Sequence, residues 1–321
     1  MNLLVMGAGA MGTSLAETFC NKNKVDLWTR RPAQYEELNK TRVNTTYLPE
    51  LEINSNINII TGNITFNKYN AVILCIPTQF IRSTLSSFNI ESWNIPILNT
   101  AKGMELKTFL TPCEILRDIG ACDDNLYALS GPSHAEEVAK GIPTTVVLAG
   151  KKNDQINNIL QALSTQTFRP YFNHDRLGVE LGGALKNIIA IAAGAALGLG
   201  FGMNTLSAII TRGISEITRY GTYRKTNLKT YYGLSCLGDL ITTCCSDYSR
   251  NREFGRSLVN SNMHYTKLAE GAKTVESLIE QVSQLDFDMP LCQSVYEIAI
   301  KKKDVKSVMN QLISRPLKEE D

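Results

Sequence analysis

No pair of cysteines in this chain has CxxC spacing, and two of the eight stand side by side at 244 and 245. That excludes a zinc ribbon and a disulfide framework and fits thiols kept reduced. Charge of one sign is missing too: 33 basic against 31 acidic residues leave a net +2, which favours neither nucleic acid nor an anionic membrane surface as a partner. There is no internal repeat, low-complexity tract or linker. No His, Cys, Asp or Glu cluster has metal-ligand spacing, so no metal is expected. Met1 runs into an apolar stretch rather than a charged, then apolar leader, so a cytoplasmic location is expected. The nearest approach to a membrane span, Asn187 to Met203, is short, glycine-laden and headed by Lys186 and Glu180, which suits a packed interior helix rather than bilayer insertion. At 321 residues, 43% hydrophobic and 20% charged, the chain is long enough for two cores.

What is present begins with Asn2 to Met6, an apolar run that ends at Gly7-Ala8-Gly9-Ala10-Met11-Gly12 before a helical stretch from Thr13 to Cys20. Strand, glycine turn and helix start are the context that gives GxGxxG its meaning. Gly7 permits the turn, Gly9 lets backbone approach a pyrophosphate, Gly12 allows close packing, and the helix start offers N–H donors. The second strand, Lys24 to Trp28, is followed by Thr29-Arg30-Arg31-Pro32. A cationic strand end suits the 2′-phosphate of NADPH better than the bare ribose of NADH, for which a carboxylate is usual; Asp26 reads as mid-strand. The alternative for Arg30 and Arg31 is a solvated loop.

Further apolar runs at Ala71 to Ile76, Ile97 to Thr100, Leu126 to Leu129 and Thr144 to Ala149 alternate with helical segments, and Phe168 to Phe172 reads as a last edge strand. The pattern predicts an N-terminal Rossmann-like, doubly wound parallel sheet over residues 1–177. Residues 178–321 read almost wholly as helix and predict an all-α C-terminal domain. Ligands of such sheets bind beyond the carboxyl ends of the strands, where the glycine turn, Arg30, Pro77, Lys102 and Ser133 fall. Ser133 reads as the N-cap of the helix after Gly131-Pro132, and His134 either as a general base or as a locally bonded residue.

In the second half, Gly178-Val179-Glu180-Leu181-Gly182-Gly183-Ala184-Leu185-Lys186-Asn187 sets a lysine at the head of a long small-residue helix. At ~3.6 residues per turn Lys186 shares a face with Gly182, Ile189, Ala190, Ala193 and Leu197. An ammonium on such a face needs a counter-ion or ligand, unless it runs along the helix edge to solvent. Asp239 opens one later helix, and Ser249-Arg250-Asn251-Arg252 opens another, where a hydroxyl cap beside cations and an amide makes a phosphate cradle.

These motifs, with Asn44-x-x-Tyr47-Leu48-Pro49, Lys102-Gly103, Ser130-Gly131-Pro132-Ser133, Gly141-x-Pro143-Thr144, Gly238-Asp239-Leu240 and Ala269-Glu270-Gly271, run in order along almost the whole chain. Together they resemble the bacterial NAD(P)-dependent sn-glycerol-3-phosphate dehydrogenases. The resemblance implies reversible reduction of dihydroxyacetone phosphate by a cytoplasmic, often dimeric enzyme that feeds glycerophospholipid synthesis. It places the catalytic lysine at Lys186, and the chemistry then expected has Lys102 polarising the substrate carbonyl and Asp239 orienting the amine. Substrate contacts fall at Lys102, Gly131, Ser133, Lys186, Asp239, Ser249, Arg250 and Asn251. Cofactor contacts fall at Ala10, Met11, Arg30, Lys102, Ala135, Arg250, Leu268 and Glu270, which join Gly7, Gly9 and Gly12 of the glycine turn and Arg31 after the second strand. Departures from the family's pattern lie at Ala10, Met11, Leu268 and Ala272-Lys273. Two other readings are open: a related dehydrogenase of hydroxy acids, and a dinucleotide sensor without turnover.

Overall fold

The computed structural model describes residues 1–259, 265–266, 268–285 and 287–316. The chain forms two compact units, Met1–Lys102 with Leu110–Glu180, and Gly103–Phe109 with the residues from Leu181 onward.

The first unit is built on an apolar strand, β1 (Asn2–Met6), whose alternate side chains supply both faces of a sheet. Leu3 and Val5 join one core with Leu15 and Phe19 of α1 (Ala10–Phe19). Leu4 and Met6 join the other with Ile81, Leu85 and Leu116. Burying each such side chain is worth ~1.5–3 kcal/mol, and a strand covered on both faces must be apolar throughout. The chain continues through β2 (Lys24–Trp28), α2 (Pro32–Thr41), a small antiparallel pair of β3 (Val43–Asn44) and β4 (Leu48–Glu52), then β5 (Ile57–Ile60), β6 (Ala71–Leu74), α3 (Ile81–Leu85), β7 (Ile97–Asn99), α4 (Pro112–Asp118) and β8 (Leu126–Ser130). After α5 (Ala135–Ala139) come β9 (Thr144–Ala149), α6 (Asp154–Leu163) and β10 (Phe168–Asn173). The eight-stranded sheet has the order β10-β9-β8-β7-β6-β1-β2-β5.

The doubly wound sheet is therefore present, with one departure from an all-parallel pattern. β9 pairs antiparallel with β8, Ala128 opposite Ala149 and Ser130 opposite Val147, and β10 then runs parallel to β9. The link from β8 to β9 holds only the single short helix α5, and the chain doubles back beside β8 instead of crossing over to restart in parallel. β10 lies at the sheet edge, as its sequence indicates.

The second unit is helical around α7 (Arg176–Gly198), which begins in the first unit and starts earlier than its composition suggests. Lys186 is therefore about three turns into the helix rather than at its head. The chain continues through α8 (Met203–Tyr223), α9 (Leu228–Tyr231), a π turn over Leu234–Gly238, α10 (Asp239–Cys245), α11 (Arg250–Val259), α12 (Glu270–Val282), α13 (Pro290–Ala299) and α14 (Val305–Ile313). Close approach explains the small residues of α7. A Cβ on Gly194 would strike the Arg252 carbonyl, and one on Gly255 of α11 would strike that of Ile191. Among the described residues α7 is the helix long and apolar enough to cross a membrane, yet 89% of its apolar window is buried inside the protein.

Each unit also buries a glutamate at the start of a proline-led helix. Glu180 accepts from the Thr111 hydroxyl at 2.9 Å and the Cys113 N–H at 2.7 Å, at the start of α4. Glu216 accepts from the N–H groups of Leu291 at 2.6 Å and Cys292 at 3.0 Å, at the start of α13. Burial raises the pKa of Glu216 above 4.5, and the Cys292 and Leu291 donors only partly oppose it. The folded protein then holds this proton to higher pH than the unfolded chain, so the group's contribution to stability falls as pH rises from about 4.5 through the raised value. Glu216→Ala, which leaves two helix-start donors without their acceptor, is expected to cost ~2 kcal/mol or more, read as a lower denaturant midpoint. Glu216→Gln should flatten the pH dependence of stability on the acid side.

Candidate active site

At the carboxyl end of β1 the chain turns through Gly7, whose φ of +113° is open to glycine, and whose Cβ, were there one, would lie 2.6 Å from the Cys75 carbonyl oxygen. A Cβ on Gly12 would collide with the Gly7 carbonyl. Gly9 differs: at φ −84° it is unstrained, and an added Cβ would meet nothing within 4 Å. It is the N-cap of α1, which has no side-chain cap and no acid in its first turn. The N–H groups and positive dipole end of α1 thus have no anion of their own, as a pyrophosphate site requires. Ala10 and Met11 pack beside Leu48 and Ala135, and the Ser14 hydroxyl lies 2.7 Å from the Ala135 carbonyl. Three of the expected cofactor residues are thereby adjacent.

Beyond β2, Arg30 is exposed, and Arg31 lies over the Tyr47 ring at 5.8 Å with a guanidinium nitrogen 3.5 Å from its hydroxyl. Asp26 is engaged elsewhere. It accepts from the Tyr69 hydroxyl at 2.5 Å and Lys68 at 3.0 Å; burial works to raise its pKa, but Tyr69, Lys68 and Asn58 outweigh that and hold it below the usual value. Beyond β7 and β8, Lys102 Nζ and the Ser133 hydroxyl both donate to the Gly131 carbonyl at 3.0 Å, so these three residues converge. Ser133 is not the cap of α5; that position is His134, because the serine hydroxyl turns back to Gly131.

In the second unit Lys186 is 5% and Asp239 3% exposed, and Lys186 Nζ donates to Asp239 Oδ1 at 3.0 Å. The lysine therefore does not run to solvent. Asp239 begins α10, where the helix dipole favours a carboxylate. Thr243, absent from the sequence reading, accepts from Lys186 Nζ at 2.5 Å and lies 2.6 Å from the Asp239 backbone carbonyl as its donor. The available signal was its i+4 spacing from Asp239 on one helix face.

Ser249 caps α11, its Oγ accepting from the Arg252 N–H at 3.2 Å, as the sequence indicates. Arg250 is exposed at the first position of the helix. Arg252 is not part of a two-arginine cradle, because it pairs with Asp247 at 2.7 Å. Asn251 is 9% exposed, and its Oδ1 accepts from the Gly271 N–H at 3.0 Å, tying α11 to the start of α12. Glu270 is the first residue of α12, and Leu268, two residues before it, is exposed.

An uncapped helix start behind a glycine turn, in a chain that also holds a carboxylate-paired buried lysine on a helix, defines a nicotinamide-dinucleotide-dependent dehydrogenase. The family model described as NAD-dependent glycerol-3-phosphate dehydrogenase N-terminus matches residues 2–156, and that of the C-terminus matches residues 175–310. The chain belongs to this family. It is 38% identical to a glycerol-3-phosphate dehydrogenase [NAD(P)+] of Nitrosomonas eutropha, with 98% of each chain covered. It is 40% identical to that of Moorella thermoacetica, over 98% of this chain and 96% of the relative. The crystal structure of glycerol-3-phosphate dehydrogenase from Coxiella burnetii is similar at a TM-score of 0.88 and 28% identity, over 98% of this chain and 99% of that one.

The open space at Gly9 fits a dinucleotide and sets up a contrast between two glycines. Gly9→Ala is expected to leave the melting temperature unchanged or slightly raised while weakening NAD(P)H binding followed by nicotinamide fluorescence. Gly12→Ala, with its Cβ driven into the Gly7 carbonyl, should lower the melting temperature as well. Full cofactor binding by Gly9→Ala would show that the turn does not receive the pyrophosphate.

Proposed function

We propose that this protein catalyses the reversible NAD(P)H-dependent reduction of dihydroxyacetone phosphate to sn-glycerol 3-phosphate, supplying glycerophospholipid synthesis. The observation that carries the chemistry is the buried Lys186–Asp239–Thr243 cluster, within a chain whose family is defined by this activity in name. Residues 1–177 form the dinucleotide-binding domain and residues 178–321 the substrate domain. The protein acts in the cytoplasm as a homodimer, needs no metal, and prefers NADPH to NADH.

The bound nicotinamide supplies the hydride. Gly7, Gly9 and Gly12 with the α1 N-terminus hold the pyrophosphate, and Ala10, Met11, Ala135, Leu268 and Glu270 line the rest of the cofactor. Exposed Arg30 and Arg31, with Asp26 withdrawn, support the NADPH preference. Lys186 donates a proton to the alkoxide oxygen that develops at the substrate carbonyl, and Lys102 helps to polarise that carbonyl. Asp239 and Thr243 fix where the ammonium points. Ser249, Arg250 and Asn251 hold the substrate phosphate, while Gly131 and Ser133 complete the substrate contacts.

Oxidation of NADPH and NADH with dihydroxyacetone phosphate as the added substrate tests this reading directly. Turnover faster with NADPH is expected, and no oxidation by folded protein that binds the cofactor would sink it in favour of a sensor. Lys186→Ala should lower kcat ~100-fold or more, the scale of a lost acid–base group; unchanged kcat would remove the assignment. Arg250→Ala should chiefly raise the KM for dihydroxyacetone phosphate, and a change in kcat alone would contradict a phosphate-holding role.

A further inference from the structure

Asn44 ends β3 and is 1% exposed, an uncommon place for a primary amide. Its Nδ2 donates to the Ala8 carbonyl at 3.1 Å and to Thr13 Oγ1 at 2.8 Å. Gln34 of α2, 7% exposed, donates through Nε2 to the same Ala8 carbonyl at 2.7 Å and accepts at Oε1 from Thr29 Oγ1 at 2.6 Å. One carbonyl in the middle of the glycine turn is therefore held by two side-chain amides from two separate elements. A carbonyl only accepts, so both amides must turn their nitrogens toward it. Asn44 Oδ1 is left buried without a hydrogen-bond partner among the described residues. That costs free energy, so fold stability alone does not account for an amide here.

In a trans peptide the C=O and the following N–H point in opposite directions, and the chain has no cis peptide bonds among its described residues. Anchoring the Ala8 carbonyl turns the Gly9 N–H the other way, at the glycine whose Cβ position is open space. We propose that Asn44 and Gln34 are positioning residues that lock the Ala8–Gly9 peptide so that its N–H is presented to the cofactor's pyrophosphate. This deepens the cofactor assignment above and rests on it. The carbonyl clamp acts on cofactor binding and not on the hydride or proton step.

Steady-state kinetics of the full chain, with whichever of NADPH and NADH the wild type oxidises faster, tests the clamp. Asn44→Ala and Gln34→Ala are each expected to raise the cofactor KM ~5–10-fold, the scale of a lost hydrogen bond, with kcat and the KM for dihydroxyacetone phosphate within about twofold. The double variant should lose more than the product of the two, because in each single variant the remaining amide still restrains the carbonyl in part. Asn44→Asp and Gln34→Glu keep side-chain volume but replace the donor by an acceptor; they should raise the cofactor KM at least as much and serve where an alanine variant fails to fold. An unchanged cofactor KM in folded variants overturns the proposal, as does a loss in kcat and both KM values that merely follows a lowered melting temperature. Wild-type protein that neither binds nor oxidises either cofactor overturns the dinucleotide reading itself, and the proposal with it.

Discussion

An ammonium and a carboxylate withdrawn together from water, Lys186 against Asp239 at 3.0 Å, form the constraint on which the helical unit depends. Each buried ion carries a desolvation penalty of several kcal/mol, repaid only by close pairing and further hydrogen bonds. Thr243 supplies one of those bonds. An apolar pair of similar volume would serve stability about as well, so such a pair is better explained by chemistry than by folding. On the same helix, glycine lets α7 and α11 approach to backbone contact at Gly194 and Gly255.

The first unit solves a related problem with dipoles instead of ions. Its parallel strands β5, β2, β1, β6, β7 and β8 all end at one edge, so the loops after them share that edge. The glycine turn, Arg30, Lys102 and Gly131 are placed by this topology, not by nearness in sequence. At the turn, uncapped N–H groups stand ready for an anion, while the Ala8 carbonyl, which would repel one, is drawn off by Gln34 and Asn44. Donors and acceptors are sorted by direction, and the sorting costs two buried amides.

Glu180 and Glu216 apply the same physics to structure. Each carboxylate sits at the N-terminus of a proline-led helix, where backbone donors and the dipole favour negative charge. Burial still wins on balance, since the pKa of each is raised above 4.5. Glu180 belongs to the same glycine-rich stretch as Lys186, and its contacts with Thr111 and Cys113 give that glutamate a structural task distinct from the lysine's.

Much of this was legible in the chain because it depends on local spacing. Strand, turn and helix around Gly7-Ala8-Gly9, the apolar runs of the central strands, the long helix around Lys186 and the Ser249 cap all rest on periodicity or on hydrogen bonds within a few residues. For Lys186 the sequence left two outcomes open, a counter-ion or ligand against a side chain running along the helix edge to solvent, and the structure decided for Asp239. Only the tertiary structure decided which way β9 runs, that Ser133 bonds back to Gly131 instead of capping α5, that Asp247 occupies Arg252, that Thr243 meets Lys186, and that Asn44 reaches the Ala8 carbonyl. The physical reason is common to these cases. A short polar side chain finds its partner within about 3 Å, and the partner brought within that reach is set by how the whole chain packs, which no local pattern encodes.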